Sequence, residues 1–427
     1  MLTVFPLHHS RGDYYLADLA SELSFVSGGW PEVTGSGLGR GQPGRWIGRG
    51  AGRLGLADGV AAAQLEAMLS GRRPADGRSL GPGRPGSVSA FDLTFAAPKS
   101  VSVLLALAPP EVAGEVLGAH EAAVAAAFDY VERRAVAVRR GSGADRSLLP
   151  VTGATAAAFT HGTSRAADPH LHTHLVLANL AQGADGRWSA VDGRGLFAHR
   201  RAAGELYRAH LRGALRERLG VQWVRTAKGY LEVAGVPPLV IGAFSSRRAD
   251  IEETVAARGL GSGRARRVAW ATTRDDKRAP EADAAVAWRS RAVALGFASA
   301  EVRAVWGRSK WLAGGVDERR FAAALGASPD GLPRRDVVEA WAAALDGGGA
   351  VRDVEDSVDG WAGTAGVAVG VGEPRRAIGP LIVPGHLVRA LGPRPATAAA
   401  QDLWRDAARA VTRYRERWGV ADQRRAL

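Results

Sequence analysis

Four of the ten histidines fall between residues 161 and 174: His161, His170, His172 and His174. On an extended strand, residues two apart share a face with their α-carbons ~6.6 Å apart, so His170, His172 and His174 line one side. Neighbours in such a row can point imidazoles at one cation, and a hairpin brings His161, at the end of the preceding strand, alongside them. Three neutral imidazoles with open positions make a catalytic metal site, in contrast to a closed structural one. The competing reading is a polar, solvated strand face. Leu171, Leu175 and Leu177 already provide the opposite, core-facing side. There is no cysteine, so disulfides, thiolate metal sites and cysteine nucleophiles are excluded, and any metal must be held by nitrogen and oxygen.

Three further positions could add chemistry. Phe91, Leu93 and Phe95 alternate with Asp92 and Thr94, which places Asp92 on the polar face of a strand. Beside the histidines, Asp92 could orient a ligand imidazole through its second nitrogen or accept a proton as a general base; alone, it is an ordinary solvated aspartate. Lys99 and Ser100 open a helix whose N–H groups favour a phosphate, with a plain helix cap as the alternative. Tyr14 and Tyr15 are two of six tyrosines; a phenolate beside a metal or base is a competent nucleophile, whereas an isolated pair more simply packs in a core.

The elements that must position these residues follow from periodicity. Strands are expected over 2–7, 91–95, 151–160, 170–180 and 188–191, with 151–160 and 170–180 an antiparallel pair. Helices are expected over 13–23, 58–69 with Asp58 as N-cap, 99–107, 112–138 and 199–219, where Leu211, Leu215 and Leu219 stack at four-residue steps. The glycine-dense stretches 27–50 and 72–86 read as loops, and 221–233 as a hairpin around Lys228-Gly229. Beyond about 245 the chain turns helical and arginine-rich, with a last helix over 398–418. Strands first and helices later indicate an α+β fold: an antiparallel sheet flanked by helices, followed by a mostly helical C-terminal region.

A length of 427 residues suggests more than one domain, and 46% hydrophobic residues suffice for a core. No long apolar run or charged-then-apolar leader is evident, so the reading is a cytoplasmic protein without membrane insertion. The formal net charge is +13, and only four of the 56 cations are lysines. A polyanionic partner is the usual reason for such an excess, nucleic acid first among them. Arg45-Trp46, Arg187-Trp188, Lys228 with Tyr230, and the arginines of the 199–219 helix combine charge with aromatic platforms suited to single-stranded nucleic acid.

Two long segments in order then carry a resemblance. Phe91-Asp92-Leu93-Thr94-Phe95-Ala96-Ala97-Pro98-Lys99-Ser100-Val101-Ser102 is one; Phe159-Thr160-His161 followed by Asp168-Pro169-His170-Leu171-His172-Thr173-His174 is the other. Together they resemble the signatures of MobF-class conjugative relaxases over residues 1–305, leaving 306–427 as a helical region of unknown role. The resemblance implies an enzyme that nicks one DNA strand at a plasmid or integrative-element transfer origin, forms a 5′-phosphotyrosyl intermediate and later religates. It further implies His161, His172 and His174 as ligands of one divalent metal ion, Mg2+ or Mn2+, Asp92 as the acidic partner, and attack by Tyr14 or Tyr15. Lys99 and the basic-aromatic pairs become DNA contacts. Single-stranded DNA at the transfer-origin hairpin is the implied partner, with accessory relaxosome proteins, a coupling protein and passage into a recipient cell.

Two departures qualify it. Many family members carry a second tyrosine pair, and residues 17–30 hold no tyrosine. Long relatives continue into a helicase with a Gly-Lys-Ser/Thr phosphate loop, but none of the four lysines follows a glycine, so unwinding is expected from a separate helicase. A rolling-circle replication initiator and a catalytically inactive origin-binding relic are the rival readings.

Overall fold

Along the histidine segment, alternation becomes a ten-residue strand whose odd positions are buried against helices. The computed structural model describes residues 2–8, 44–57, 59–81, 87–142, 146–164, 166–257, 284–307, 315–325, 332–369 and 381–384. The expected helices over 13–23, with Tyr14 and Tyr15, and over 398–418 lie outside the described residues, as does Asp58.

Strands in chain order are β1 (Leu2–His8), β2 (Arg45–Ile47), β3 (Val88–Ala96), β4 (Ala137–Arg140), β5 (Ser147–Gly153), β6 (Ala156–Thr163), β7 (Pro169–Ala178), β8 (Ala181–Gly183), β9 (Trp188–Ser189), β10 (Trp223–Arg225), β11 (Leu231–Val233), β12 (Leu332–Pro333), β13 (Gly366–Val369) and β14 (Leu381–Pro384). Helices are α1 (Arg49–Arg53), α2 (Ala62–Leu69), α3 (Lys99–Leu107), α4 (Pro110–Arg134), α5 (Gly193–Leu219), α6 (Pro238–Ala243), α7 (Ser246–Ala257), α8 (Ala284–Ala294), α9 (Ser299–Arg303), α10 (Glu318–Leu325), α11 (Arg334–Ala344) and α12 (Val351–Ala365). The central sheet is antiparallel, in the order β1-β3-β7-β6-β2. The α+β class, the antiparallel 156–163/169–178 pair and the hairpin around Gly229 all match the reading of the sequence.

Period-two patterning gives this sheet two different faces. Leu2, Val4, Phe91, Leu93, Phe95, Leu171, Leu175 and Leu177 meet α4 and α5 in the main core. On the reverse, Leu7, Ala90, Phe159, Val176 and Trp46 bury a smaller cluster with Leu65 and Met68 of α2. The histidines continue that second face, where the apolar cover ends.

The expected helix over 112–138 stops at Arg134, and residues 137–140 form β4, pairing Val138 with Leu149. Strand pairing of a buried, β-branched residue outweighs the helix propensity of the alanine-rich run. The single strand expected over 151–160 is two: β5 joins a four-stranded sheet β4-β5-β8-β9, and β6 joins the central one. Glu132 of α4 makes the corner, accepting from Ala154 N–H (2.6 Å) and Arg49 N–H (2.8 Å). Gly153 lets the chains cross, because a Cβ there would stand 2.4 Å from Gly50 N. The glycine-dense 27–50 stretch is not all loop, since it contains β2 and the start of α1. The second expected helix begins at Ala62, with Gln64 accepting from Ala61 N–H.

The arginines of α5, expected to face DNA, largely bind protein. Arg212 is buried and donates to Ala342 O and Leu345 O (both 2.9 Å), Arg216 donates to Gly347 O (2.8 Å), and Arg201 and Arg218 pair with Glu339 and Glu115. Arg201, Arg212 and Arg216 tether α11 and its following turn to the long helix, and Arg218 ties it to α4. Gly348 permits this, with φ +70 and a missing Cβ that would stand 2.2 Å from Ala209 O.

Candidate active site

Register places the site. On β7, His172 lies opposite His161 of β6 and Ala96 of β3, and His174 lies opposite Phe159 and Thr94. Registered partners in an antiparallel sheet project to the same side, so three imidazoles from two strands share one face with Asp92 and Thr94. Ring centroids are 5.2 Å apart for His161–His172, 5.4 Å for His161–His174 and 5.1 Å for His172–His174. His170 stacks on His172 at 4.8 Å, at the outer end of the row.

Hydrogen bonds select the tautomers. His174 Nδ1 lies 3.0 and 2.9 Å from the two oxygens of Asp92, with Thr94 Oγ1 at 3.2 Å. An ionised carboxylate only accepts, so the bond places a proton on Nδ1. His172 Nδ1 donates to His170 O at 2.8 Å with the same result. Burial first, then the charges of His172 and His174, pushes His161 well below the ordinary imidazole range, and burial first, then His174, lowers His172 to about 3. Neutral imidazoles with a free nitrogen are the form a cation binds.

An ion held ~2 Å from each nitrogen sets imidazole centroids roughly 5 Å apart, which the three rings meet. Among the described residues no three His, Cys, Asp or Glu side chains are already gathered into an ion-holding group. The imidazole donors and their ring spacing are what a divalent cation binds.

Lys99 sits at the entrance of β7. Its Nζ donates to Pro169 O at 2.8 Å, and burial lowers it to about 8 against the opposing charges of Asp168 and Glu232. The helix N-terminus beside it already holds a carboxylate of the chain itself: Glu232 accepts from Ser100 N–H (3.0 Å) and Ser100 Oγ–H (2.5 Å). Trp46 is no stacking platform, because it is buried against α2 with its indole N–H on Gln64 (3.2 Å). Its neighbour Arg45 donates to Glu121 O. Arg187 is exposed and Trp188 half-buried in the second sheet, and Lys228 is exposed at the β10–β11 turn beside exposed Tyr230.

Residue patterns alone did not single out Asp168. It is buried, it accepts from Ser246 N–H (2.8 Å), and it faces Arg291, while Trp288 Nε1 donates to Ala167 O (3.0 Å). The turn leading into the histidine strand is thus pinned by α7 and α8. In the sequence this aspartate opened the Asp168–His174 segment without a role of its own.

The family model described as TrwC relaxase matches residues 12–295. Two curated relatives, the Multifunctional conjugation protein TraI of Escherichia coli and that of its strain K12, are each 37% identical over 225 residues. The match takes in 49% of this chain and 12% of theirs, so the chain spans about an eighth of those relatives' length. Among solved structures, a conjugative relaxase TrwC in complex with oriT DNA, in a copper-bound form, superposes with TM-score 0.59 and 29% identity, covering 69% of this chain and 99% of the other. A complex of TrwC with a 27-mer comprising the recognition hairpin and the cleavage site gives 0.57 over the same shares.

Proposed function

This chain belongs to the TrwC relaxase family, and from that premise we propose that it nicks and religates one DNA strand at a transfer origin by tyrosine transesterification. One observation supports the reading above the others: the imidazoles of His161, His172 and His174 share a sheet face with Asp92, which orients His174.

A divalent cation, Mg2+ or Mn2+, bound by those three histidines supplies polarisation of the scissile phosphate and neutralises its developing charge. The protein supplies the rest. Asp92 holds His174 with Nε2 outward, and the His170 carbonyl does the same for His172. A phenol oxygen of Tyr14 or Tyr15 gives up its proton to solvent and bonds to phosphorus as the P–O3′ bond breaks, and the leaving 3′ oxygen takes up a proton from solvent, so the proton count is unchanged. The phosphodiester count is unchanged, so religation runs back through the same bond without an external energy source. Exposed Arg187, Lys228 and Tyr230 are proposed contacts of the single strand and its hairpin, with Lys99 and Arg45 closer to the central sheet. None of the lysines in these 427 residues sits in a Gly-Lys phosphate loop, so strand unwinding is proposed to come from outside them. No helix among the described residues is long and apolar enough to cross a membrane. The proposed setting of the reaction is the cytoplasm, where the DNA substrate lies.

The test incubates the protein with a labelled single-stranded oligonucleotide spanning the neighbouring transfer origin, plus Mn2+ or Mg2+. A denaturation-resistant adduct is expected, lost with Tyr14→Phe, Tyr15→Phe or their combination. An adduct that survives the double variant removes this tyrosine pair from the reaction. Tight, specific binding without any adduct points to an origin-binding relic, and repeated nicking coupled to replication from a double-strand origin points to a rolling-circle initiator.

A further inference from the structure

Behind the two histidine strands, a continuous row of polar side chains crosses the main apolar core. Thr160 and Thr173 are cross-strand partners with hydroxyl oxygens 2.8 Å apart. Thr173 Oγ1 lies 2.7 Å from His120 Nε2 on α4, and His120 Nδ1 lies 2.8 Å from the Tyr207 hydroxyl on α5. His120 and Tyr207 are 0% exposed and Thr173 is 1% exposed, amid Phe95, Leu171 and Leu175. Polar atoms in such a layer are costly unless each has a partner, and every step of this row does.

Apolar side chains of similar volume would join sheet to helices equally well. Directional bonds add a single allowed position, since any slide of β6 or β7 across α4 and α5 breaks a buried hydrogen bond. That position matters at Thr173, which stands between His172 and His174, and at Thr160, which precedes His161. We propose that Thr160, Thr173, His120 and Tyr207 are positioning residues that hold the three imidazoles at the spacing a cation requires. The inference rests on the metal reading given under the proposed function.

The fold provides its own control. Tyr130 of α4 and His199 of α5 form a second buried tyrosine–histidine bond, 2.9 Å long, between the same two helices. It involves no residue of β6 or β7.

The experiment measures Mn2+ affinity by calorimetry and thermal unfolding for the full chain and for variants that remove only a hydroxyl: Thr173→Val, Tyr207→Phe and Tyr130→Phe. Thr173→Ser restores the hydroxyl, and His161→Ala tests the site itself. Thr173→Val and Tyr207→Phe should weaken Mn2+ binding by about tenfold, with Thr173→Ser binding like the wild type. Tyr130→Phe should lower the melting temperature comparably and leave the Mn2+ affinity unchanged. Wild-type affinity in both Thr173→Val and Tyr207→Phe, or an equal loss in Tyr130→Phe, overturns the positioning role. Mn2+ binding that is absent, or indifferent to His161→Ala, overturns the metal reading and this inference with it.

Discussion

Asp92 on β3 and His174 on β7 meet diagonally across neighbouring strands, with Nδ1 within 3.0 Å of both carboxylate oxygens. The bond sets both the tautomer and the direction of the ring. Asp92→Ala should weaken Mn2+ binding by about 10- to 100-fold, with Asp92→Asn intermediate because its amide oxygen still accepts. Affinity for hairpin DNA without metal should not change. Calorimetry and a binding assay on the same protein samples check both; unchanged Mn2+ affinity in Asp92→Ala would show that the aspartate does not orient the ring.

Glu232 fastens the β10–β11 hairpin to the start of α3. Its carboxylate takes two bonds from Ser100, whose Oγ accepts in turn from Val233 N–H at 2.8 Å. Glu232→Ala should cost about 1.5–3 kcal/mol in urea unfolding and speed hydrogen exchange over residues 223–233. Wild-type protection there would mean that the hairpin is held by other contacts.

Glu355 gathers Arg133, Arg134 and Arg334 around a carboxylate whose side chain is 3% exposed. Burial alone would raise its pKa, but the hydrogen bond to Arg133 and the charges of the three arginines outweigh that and hold it below the ordinary 4.5. The folded chain keeps this carboxylate ionised to lower pH than the unfolded one. Its stabilisation is therefore complete above pH 4.5 and is lost as pH falls through the depressed folded value. Glu355→Gln should remove about 3–5 kcal/mol at pH 7 and flatten the acid limb of the stability profile. Chemical denaturation at pH 7 and pH 4 reads both, and a variant as stable as the wild type would show that the arginines find water instead.

Lys99 should give a pH dependence of the same sign in the alkaline range. Burial lowers it from 10.5 to about 8, so at pH 7 both states carry the proton and the folded one bears the burial cost. Between pH 8 and 10.5 the unfolded chain alone keeps the proton, and stability rises with pH. The gain of wild type over Lys99→Met across that range should reach roughly 3 kcal/mol, the equivalent of the shift. Urea midpoints for the two proteins at pH 7.5 and 10 test it. Parallel profiles would place the Lys99 ammonium in solvent.

The local half of this architecture is written in the chain. Side chains two apart on a strand must share a face, so His170, His172 and His174 had to align, and Asp92 had to oppose Phe91 and Leu93. The glycine turn at Gly229 and the leucine spacing of α5 are equally local. Periodicity says which side of an element is apolar; it does not say what will cover that side. Only the packed structure decided that Trp46 is covered by α2, that the arginines of α5 clasp carbonyls near residues 342–347, and that β4 leaves the preceding helix to pair with β5. The contacts that tune the site are of this second kind. Asp92–His174, Thr173–His120–Tyr207 and Glu232–Ser100 each join residues scores of positions apart, through strand register and helix docking that arise only when the whole core closes.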